Sequence, residues 1–280
     1  MLAMIEAQLA DLTAFVRAHS PLLVLTGAGL STASGIPAYR DERGEWRSRR
    51  RILHNDFMTR HAVRQRYWAR SMAGFPLMRD AQPNAGHRAL AALEAAGFIK
   101  LIVTQNVDRL QQRAGGKQVV DLHGRIDQII CTGCRARSRR DDFQRTLLAA
   151  NPGLAREAAQ QAPDGDADLS DIRIGDVVVP ACDDCAGILK PNVVFYGGGV
   201  PKDRVDMAMA ALQEASAVLV AGSSLQVFSG YRFCREAKRL GKPVAAINRG
   251  TCRGDPDFDL KLWADVNDVL PSLVTRLKIS

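Results

Sequence analysis

Four of the six cysteines in this 280-residue chain form two pairs with one spacing, Cys131-x-x-Cys134 and Cys182-x-x-Cys185. Two such thiolate bites fill the four tetrahedral positions of a structural zinc ion. No position is then left for water or substrate, so the expected metal holds the fold and takes no part in catalysis. Four separate buried thiols are one alternative and an iron–sulfur cluster is another, the latter less favoured with so little additional cluster-type cysteine spacing. Cys234, on an expected helix, and Cys252, in an expected loop, read as bystanders.

A second stretch able to do chemistry is Thr26-Gly27-Ala28-Gly29, which ends the apolar run Leu22–Leu25. Its small residues allow a tight turn and let a ligand approach the backbone. Ser31, Thr32 and Ser34 add hydroxyls and helix-start chemistry, where free N–H groups hold a phosphate. The match to G-x-G-x-x-G is incomplete, because Thr32 stands at the third glycine, and an ordinary strand–turn–helix connection fits as well. His123 follows another apolar run and has the pKa range of a general base near neutral pH, although a histidine taken at random is usually structural.

The elements that must position these residues alternate between strand and helix. The first 20 residues space Ile5, Leu9, Leu12, Phe15 and Val16 as a helix does, and carry acids where a secretory leader would be basic. Strands are expected at Leu22–Leu25, Phe98–Thr104, Val119–Leu122, Val193–Tyr196, Ala217–Ala221 and Val244–Ile247. Helices are expected over Asp56–Asp80, broken near its end by Gly74 and Pro76, and after an Asn84 cap, at Asp203–Glu214 and at Tyr231–Leu240. Such alternation implies an α/β fold, a Rossmann-like parallel sheet with helices on both faces. The expected boundaries give this domain residues 1–40, 84–130 and 190–280. A smaller domain takes a helical insertion, 41–83, and the zinc-binding module, 131–189, which includes the turn-prone Ala162–Asp166. Polar clusters at Gly27–Ser31, Gln105–Asp108, His123, Gly222–Ser224 and Asn248 all follow apolar strands, and in an open parallel sheet ligands bind outside the carboxyl ends of the strands.

Composition fits a soluble globular protein, with 46% hydrophobic and 24% charged residues, and no apolar run reaches the roughly 20 residues of a membrane span. The net charge of +8 favours anionic partners. Its densest run, Arg47 and Arg49–Arg51, lacks the interleaved aromatics of a nucleic-acid platform and reads as a solvated loop. We therefore expect no specific nucleic acid, no membrane, a monomer and a reducing, bacterial-type cytoplasmic setting. A mitochondrial address would require a leader that the sequence does not contain.

In order, GAGLSTASGIPAYR, TQNVDRL, DLHG, the two cysteine pairs, KPNVVFYG, GSSLQV and INRG resemble the sirtuins, the NAD-dependent protein deacylases, over nearly the whole chain. RQRYWAR (64–70), APDGD (162–166) and SSLQVFSGYRF (223–233) are similar to the class II branch that contains the fourth mammalian, mitochondrial sirtuin. The resemblance implies a reaction in which NAD loses nicotinamide and its ribose is captured by the amide oxygen of an acylated lysine. It implies that His123 is the general base acting on a ribose hydroxyl of the alkylimidate, with Asn106 as its catalytic companion. Asn106 and Asp108 are placed near the nicotinamide amide and ribose, Gln105 on ribose hydroxyls, and Ala28, Ser31 and Arg40 along the phosphate and nicotinamide side. Gly222, Ser223 and Ser224 take phosphate and ribose, Asn248 the adenosine ribose and Val266 the adenine. Gly27, Gly29, Ile36, Pro37, Trp46, Val107, Arg249 and Gly250 complete the implied NAD set. The implied metal is one structural Zn2+ held by Cys131, Cys134, Cys182 and Cys185.

The acyl-lysine peptide is expected to enter as an extra strand between Val194–Gly197, which includes Tyr196, and Phe228–Tyr231, which includes Ser229. Tyr67 and Arg70 lie three apart on an expected helix, where a phenol and a guanidinium can read a carboxylate-bearing acyl group; a tyrosine packed in the small domain beside a surface arginine is the plainer reading. The resemblance therefore implies an NAD-dependent lysine deacylase, with longer or acidic acyl groups expected over acetyl. Protein mono-ADP-ribosyl transfer from the same pocket is one alternative, and a non-catalytic NAD-binding or zinc-stabilised interaction module is another. Three positions depart from the usual family text: Gln111, Ala38 and Gly198.

Overall fold

The structure is a computed structural model that describes residues 2–38, 41, 43, 45, 52–153 and 174–279. Arg40, Trp46, the arginine run after it and Ala162–Asp166 lie outside the described residues. Nine strands are described: β1 (Leu22–Thr26), β2 (Ile99–Thr104), β3 (Val119–Asp121), β4 (Gly124–Cys131), β5 (Arg137–Arg139), β6 (Leu189–Val193), β7 (Ala217–Ala221), β8 (Val244–Ile247) and β9 (Leu260–Leu262). Six of them form one sheet in the order β3-β2-β1-β7-β8-β9, with every neighbouring pair parallel.

The uniform apolarity of β1, β7 and β8 is explained by burial on both faces. Alternate residues go to opposite sides: Leu22, Val24, Leu219 and Ile247 to one core, Leu23, Leu25, Val220 and Ala246 to the other. Strand order reverses between β1 and β7, which are neighbours with β2 and β8 on their outer sides. That reversal opens a crevice at the carboxyl ends of the two central strands.

The remaining strands make a separate antiparallel sheet, β5-β4-β6. The expected boundaries at 130 and 190 fall within β4 and β6, which both belong to the small sheet. The expected strand Val193–Tyr196 is also displaced: pairing covers Leu189–Val193, and Tyr196 makes only an isolated bridge to Leu53. Phe57, Trp68, Met72, Ile129, Phe143 and Leu147 form one core uniting the insertion with the small sheet.

The expected break at Gly74 and Pro76 does not occur. The helix runs unbroken over His61–Asp80, and the interruption lies earlier, at Arg60, between His54–Thr59 and His61–Asp80. Proline cannot donate to the carbonyl four residues back, so Pro76 leaves Met72 O unpaired within the helix. Gln144 Nε2 donates to that oxygen at 2.9 Å, so tertiary packing supplies the missing bond.

Candidate active site

The loop after β1 and the loop after β7 meet at the crevice. Gly29 N donates to Gly222 O at 2.9 Å. A Cβ on Gly29 would lie 2.8 Å from that oxygen, and one on Gly27 would lie 2.7 Å from Ser223 Cβ. Small residues are required here because two backbones touch, a stricter demand than ligand approach. Gly222 has φ +66° and would set its own Cβ 2.6 Å from Leu30 N.

Around this junction lies a cavity of about 1060 Å³, at the large end of ligand clefts. Its walls carry Gly27, Ala28, Gly29, Ile36 and Pro37 after β1; Gln105, Asn106 and Val107 after β2; and His123 after β3. Gly222, Ser223, Ser224 and Ser229 follow β7, Asn248, Arg249 and Gly250 follow β8, and Val266 opens the last helix. The same cavity takes in Tyr67, Arg70, Val194, Tyr196 and Gly197 from the small-domain side. Residues far apart in sequence are brought together because each ends or follows an element at one edge of the sheet.

Gln105 ties three strand ends together. Its backbone N and its Nε2 both donate to Thr26 O, at 3.0 and 3.2 Å, and Nε2 also donates to Ser223 Oγ at 2.7 Å. Its carbonyl oxygen lies 3.1 Å from His123 Nδ1. A carbonyl only accepts, so Nδ1 carries the hydrogen and Nε2 keeps its lone pair, facing Ser229 Oγ at 2.7 Å. Desolvation by the surrounding protein lowers the His123 pKa from 6.5 to about 4; Arg204 and Arg232 push the same way, against the Gln105 bond. The imidazole is neutral at pH 7, with Nε2 as its basic atom.

Asn106 Nδ2 donates to Gly27 O and Ser31 Oγ, both at 3.0 Å. Gly27 O can only accept, which fixes the amide's orientation and leaves Oδ1 for a ligand. Ser31 and Asp108 do not line the cavity as expected. Ser31 is 1% and Asp108 7% exposed, and Ser31 Oγ donates to Asp108 Oδ2 at 2.7 Å behind Asn106. Burial raises the Asp108 pKa, against hydrogen bonds from Leu110 N–H and Ser31. These two residues brace Asn106 from within.

Asn248 Nδ2 donates to Gly250 O at 3.0 Å and approaches Cys252 Sγ at 3.3 Å, so buried Cys252 supports this loop and is no bystander. Arg249 pairs with Asp265 at 3.2 Å, beside Val266. Of the departures from the family text, Gln111 is buried and donates to His87 O at 3.2 Å, while Ala38 and Gly198 line the cavity.

Two expectations on the substrate side change. Phe228–Tyr231 is the first turn of the helix Phe228–Arg239, so it cannot serve as a strand edge; the non-helical stretch Ser223–Val227 lines the same cavity as Val194–Gly197. Arg70 is no surface arginine, being 5% exposed. Tyr67 packs edge-on against Phe57, Trp68 and Phe195 with centroids 5.5, 4.9 and 5.2 Å away, and still reaches the cavity.

Away from the cleft, the Sγ atoms of Cys131, Cys134, Cys182 and Cys185 all lie within 4.8 Å of one another. The closest pairs are 3.5 and 3.7 Å apart, near the ~3.8 Å edge of a tetrahedron with Zn–S bonds of about 2.3 Å. The four thiolates fit a structural zinc ion. Gly187 permits the close turn, since a Cβ there would lie 2.8 Å from Cys131 Sγ.

The profile described as Sir2 family matches residues 27–229, which span every one of these features except the loop after β8 and Val266. The chain belongs to the Sir2 family. An NAD-dependent protein deacetylase of Xanthomonas axonopodis pv. citri is 54% identical over 248 residues, covering 89% of this chain and 85% of the relative. One of the same description from Bordetella bronchiseptica is 50% identical over 273 residues, covering 96% of this chain and all of the relative (100%). The NAD-dependent protein deacylase SIR4 of Monosiga brevicollis is 44% identical over 274 residues, covering 95% and 88%, in keeping with the class II likeness. The Sir2 fold is matched by a solved structure of Sir2 with p53 peptide and NAD+, TM-score 0.77 and 29% identity, covering 96% of this chain and 98% of that one. Among the described residues of this Sir2 chain, no helix is long and apolar enough to cross a membrane.

Proposed function

We propose that this chain is an NAD-dependent protein lysine deacylase, which releases nicotinamide and moves the acyl group from lysine to ADP-ribose. The observation that carries this reading is the neutral His123, its Nε2 lone pair held toward a cleft that five strand ends converge to form. NAD, as co-substrate, supplies the electrophilic ribose carbon and the leaving nicotinamide. The relatives described as NAD-dependent deacetylases share 50–54% of their residues with this chain over the aligned lengths, which supports the same chemistry here.

The chain's own groups divide the work. His123 Nε2 takes a proton from a sugar hydroxyl that displaces Ser229 Oγ. Asn106 Oδ1 accepts from a carboxamide N–H, its own N–H groups being engaged. Gly27, Gly29 and Gly222 keep two loops in contact so that backbone N–H groups can meet a diphosphate. Asn248 and Val266 line the same cleft and are assigned here to the adenosine. Acyl-lysine enters between Val194–Gly197 and Ser223–Val227, where main-chain contacts give modest sequence selectivity.

Tyr67 and Arg70 on the cavity wall support a preference for longer or acidic acyl groups over acetyl. Mass spectrometry of acyl-lysine peptides with NAD tests both parts. O-acyl-ADP-ribose, formed faster from succinyl or glutaryl than from acetyl peptide, is the expected product. Protein-bound ADP-ribose would indicate transfer instead, and no product would indicate a binder. Equal or better kcat/KM on acetyl peptide, unaffected by Arg70→Ala, would remove the acyl preference.

A further inference from the structure

Arg140 is 0% exposed and makes no ion pair among the described residues, Asp141 acting on it only at a distance. Phe75 and Trp68 cover its guanidinium, with ring centroids 4.3 and 5.4 Å from Cζ, and its Nε and Nη1 have no hydrogen-bond partner. Burial lowers its pKa from 12.5 to about 10, so it still carries its charge at neutral pH. A cation so placed is costly, because its hydration is lost and only the charge of neighbouring Asp141, which makes no ion pair with it, acts to offset that.

Its remaining nitrogen, Nη2, donates to Ser71 O at 3.2 Å and to Ser71 Oγ at 3.0 Å. The Ser71 hydroxyl therefore acts as an acceptor toward Arg140, and its own hydrogen is committed to no other group among the described residues. Ser71 lines the cleft. So do Tyr67, Arg70, Gly74 and Phe75, at the i, i+3, i+4, i+7 and i+8 spacing of one helix face. A hydroxyl polarised by a buried guanidinium and opening onto a cavity is a stronger donor than an isolated serine, and an anion is the acceptor it suits best.

We propose that Ser71, backed by Arg140, donates a hydrogen bond to a carboxylate at the end of the acyl group. Ser71 touches the substrate, while Arg140 is a positioning residue that acts through it. The inference rests on the acyl-lysine reading of the cleft and names the group that reads an acidic acyl chain alongside Arg70.

A glutaryl-lysine peptide and its carboxamide counterpart, alike in shape and differing in charge, provide the test. Direct binding and NAD-dependent turnover are measured for wild type, Ser71→Ala, Arg140→Met and Arg140→Lys. Wild type is expected to favour the carboxylate by about tenfold or more, and Ser71→Ala to reduce that ratio by roughly five- to tenfold, as for loss of one hydrogen bond to a charged group. Arg140→Met is expected to reduce the ratio to the same extent and Arg140→Lys to restore part of it. If the arginine variants do not fold, Ser71→Ala decides alone. A wild-type ratio near one, a ratio unmoved by Ser71→Ala, or a change confined to the KM for NAD would overturn the inference, the last by assigning the donor to a phosphate. Turnover of neither peptide, with the binding ratio intact, would count against the enzyme and leave the carboxylate site supported.

Discussion

The Oγ of Ser229 lies 2.7 Å from Nε2 of His123, at the position where the proposed mechanism has a substrate hydroxyl lose its proton. A hydroxyl donating to Nε2 stabilises the neutral imidazole and so adds to its low basicity. Ser229→Ala is expected to raise the acid limb of the pH–rate profile by less than about one pH unit, while the alkaline side stays in place. An unmoved acid limb would show that Ser229 does not load the base.

The second expectation concerns the position of that limb. With His123 held at about 4, kcat/KM should stay level from pH 7 through 6.5 and fall only as the free enzyme is titrated near 4. Initial rates at low substrate, in buffers of constant ionic strength, measure it. A halving at pH 6.5 would mean that the imidazole is solvated like an ordinary histidine.

His87 links acidity to stability. It is 1% exposed, and burial lowers its pKa from 6.5 to about 4. The unfolded chain binds this proton below 6.5 and the folded chain does not until about 4, so stability present above 6.5 is lost as pH falls through that window. The loss by pH 4.5 is about 2–3 kcal/mol, readable from urea midpoints. His87→Gln should flatten that part of the curve, and an unchanged slope would assign the loss to other groups.

Gly29→Ala addresses the loop contact. Its new Cβ would meet the backbone oxygen of Gly222 at 2.8 Å, and backbone cannot step aside as a flexible side chain can. The two loops must separate, at roughly 1–3 kcal/mol of stability, and the KM for NAD should rise by about tenfold or more. An unaltered KM would show that the contact does not shape the NAD end of the cleft.

For the metal, one zinc per chain is expected by elemental analysis, and Cys134→Ser should release it. Because structural zinc contributes directly to folding, melting should fall by more than about 5 °C, with activity lost as the small sheet loosens. Full activity in a zinc-free protein would make the cluster dispensable.

Much of the frame was legible because burial on both faces leaves a continuous apolar run. Val244–Ile247 and Ala217–Ala221 have the expected bounds, and Asn84 caps its helix as expected, its side chain accepting from His87 N at 3.2 Å. The cysteine spacing, a local constraint, likewise carried into three dimensions. What could not be read depended on partners distant in sequence. Pro76 sits inside a helix because Gln144 satisfies Met72 O. Lys190 and Pro191 join a strand because β4 lies beside them. Ser31 and Asp108 look like ligand contacts in sequence, yet their mutual hydrogen bond places them behind Asn106. Arg140, in a run of surface arginines, gives no sign in sequence that two aromatic rings enclose it.

The most direct measurement is single-turnover deacylation of an acyl-lysine peptide by wild type and His123→Ala, at saturating NAD and pH 7. The wild type should form O-acyl-ADP-ribose, and the variant should slow by about a hundredfold or more, as for loss of a general base, while still binding peptide. Deacylation at an undiminished rate in His123→Ala would contradict the assignment of the base on which the mechanism rests.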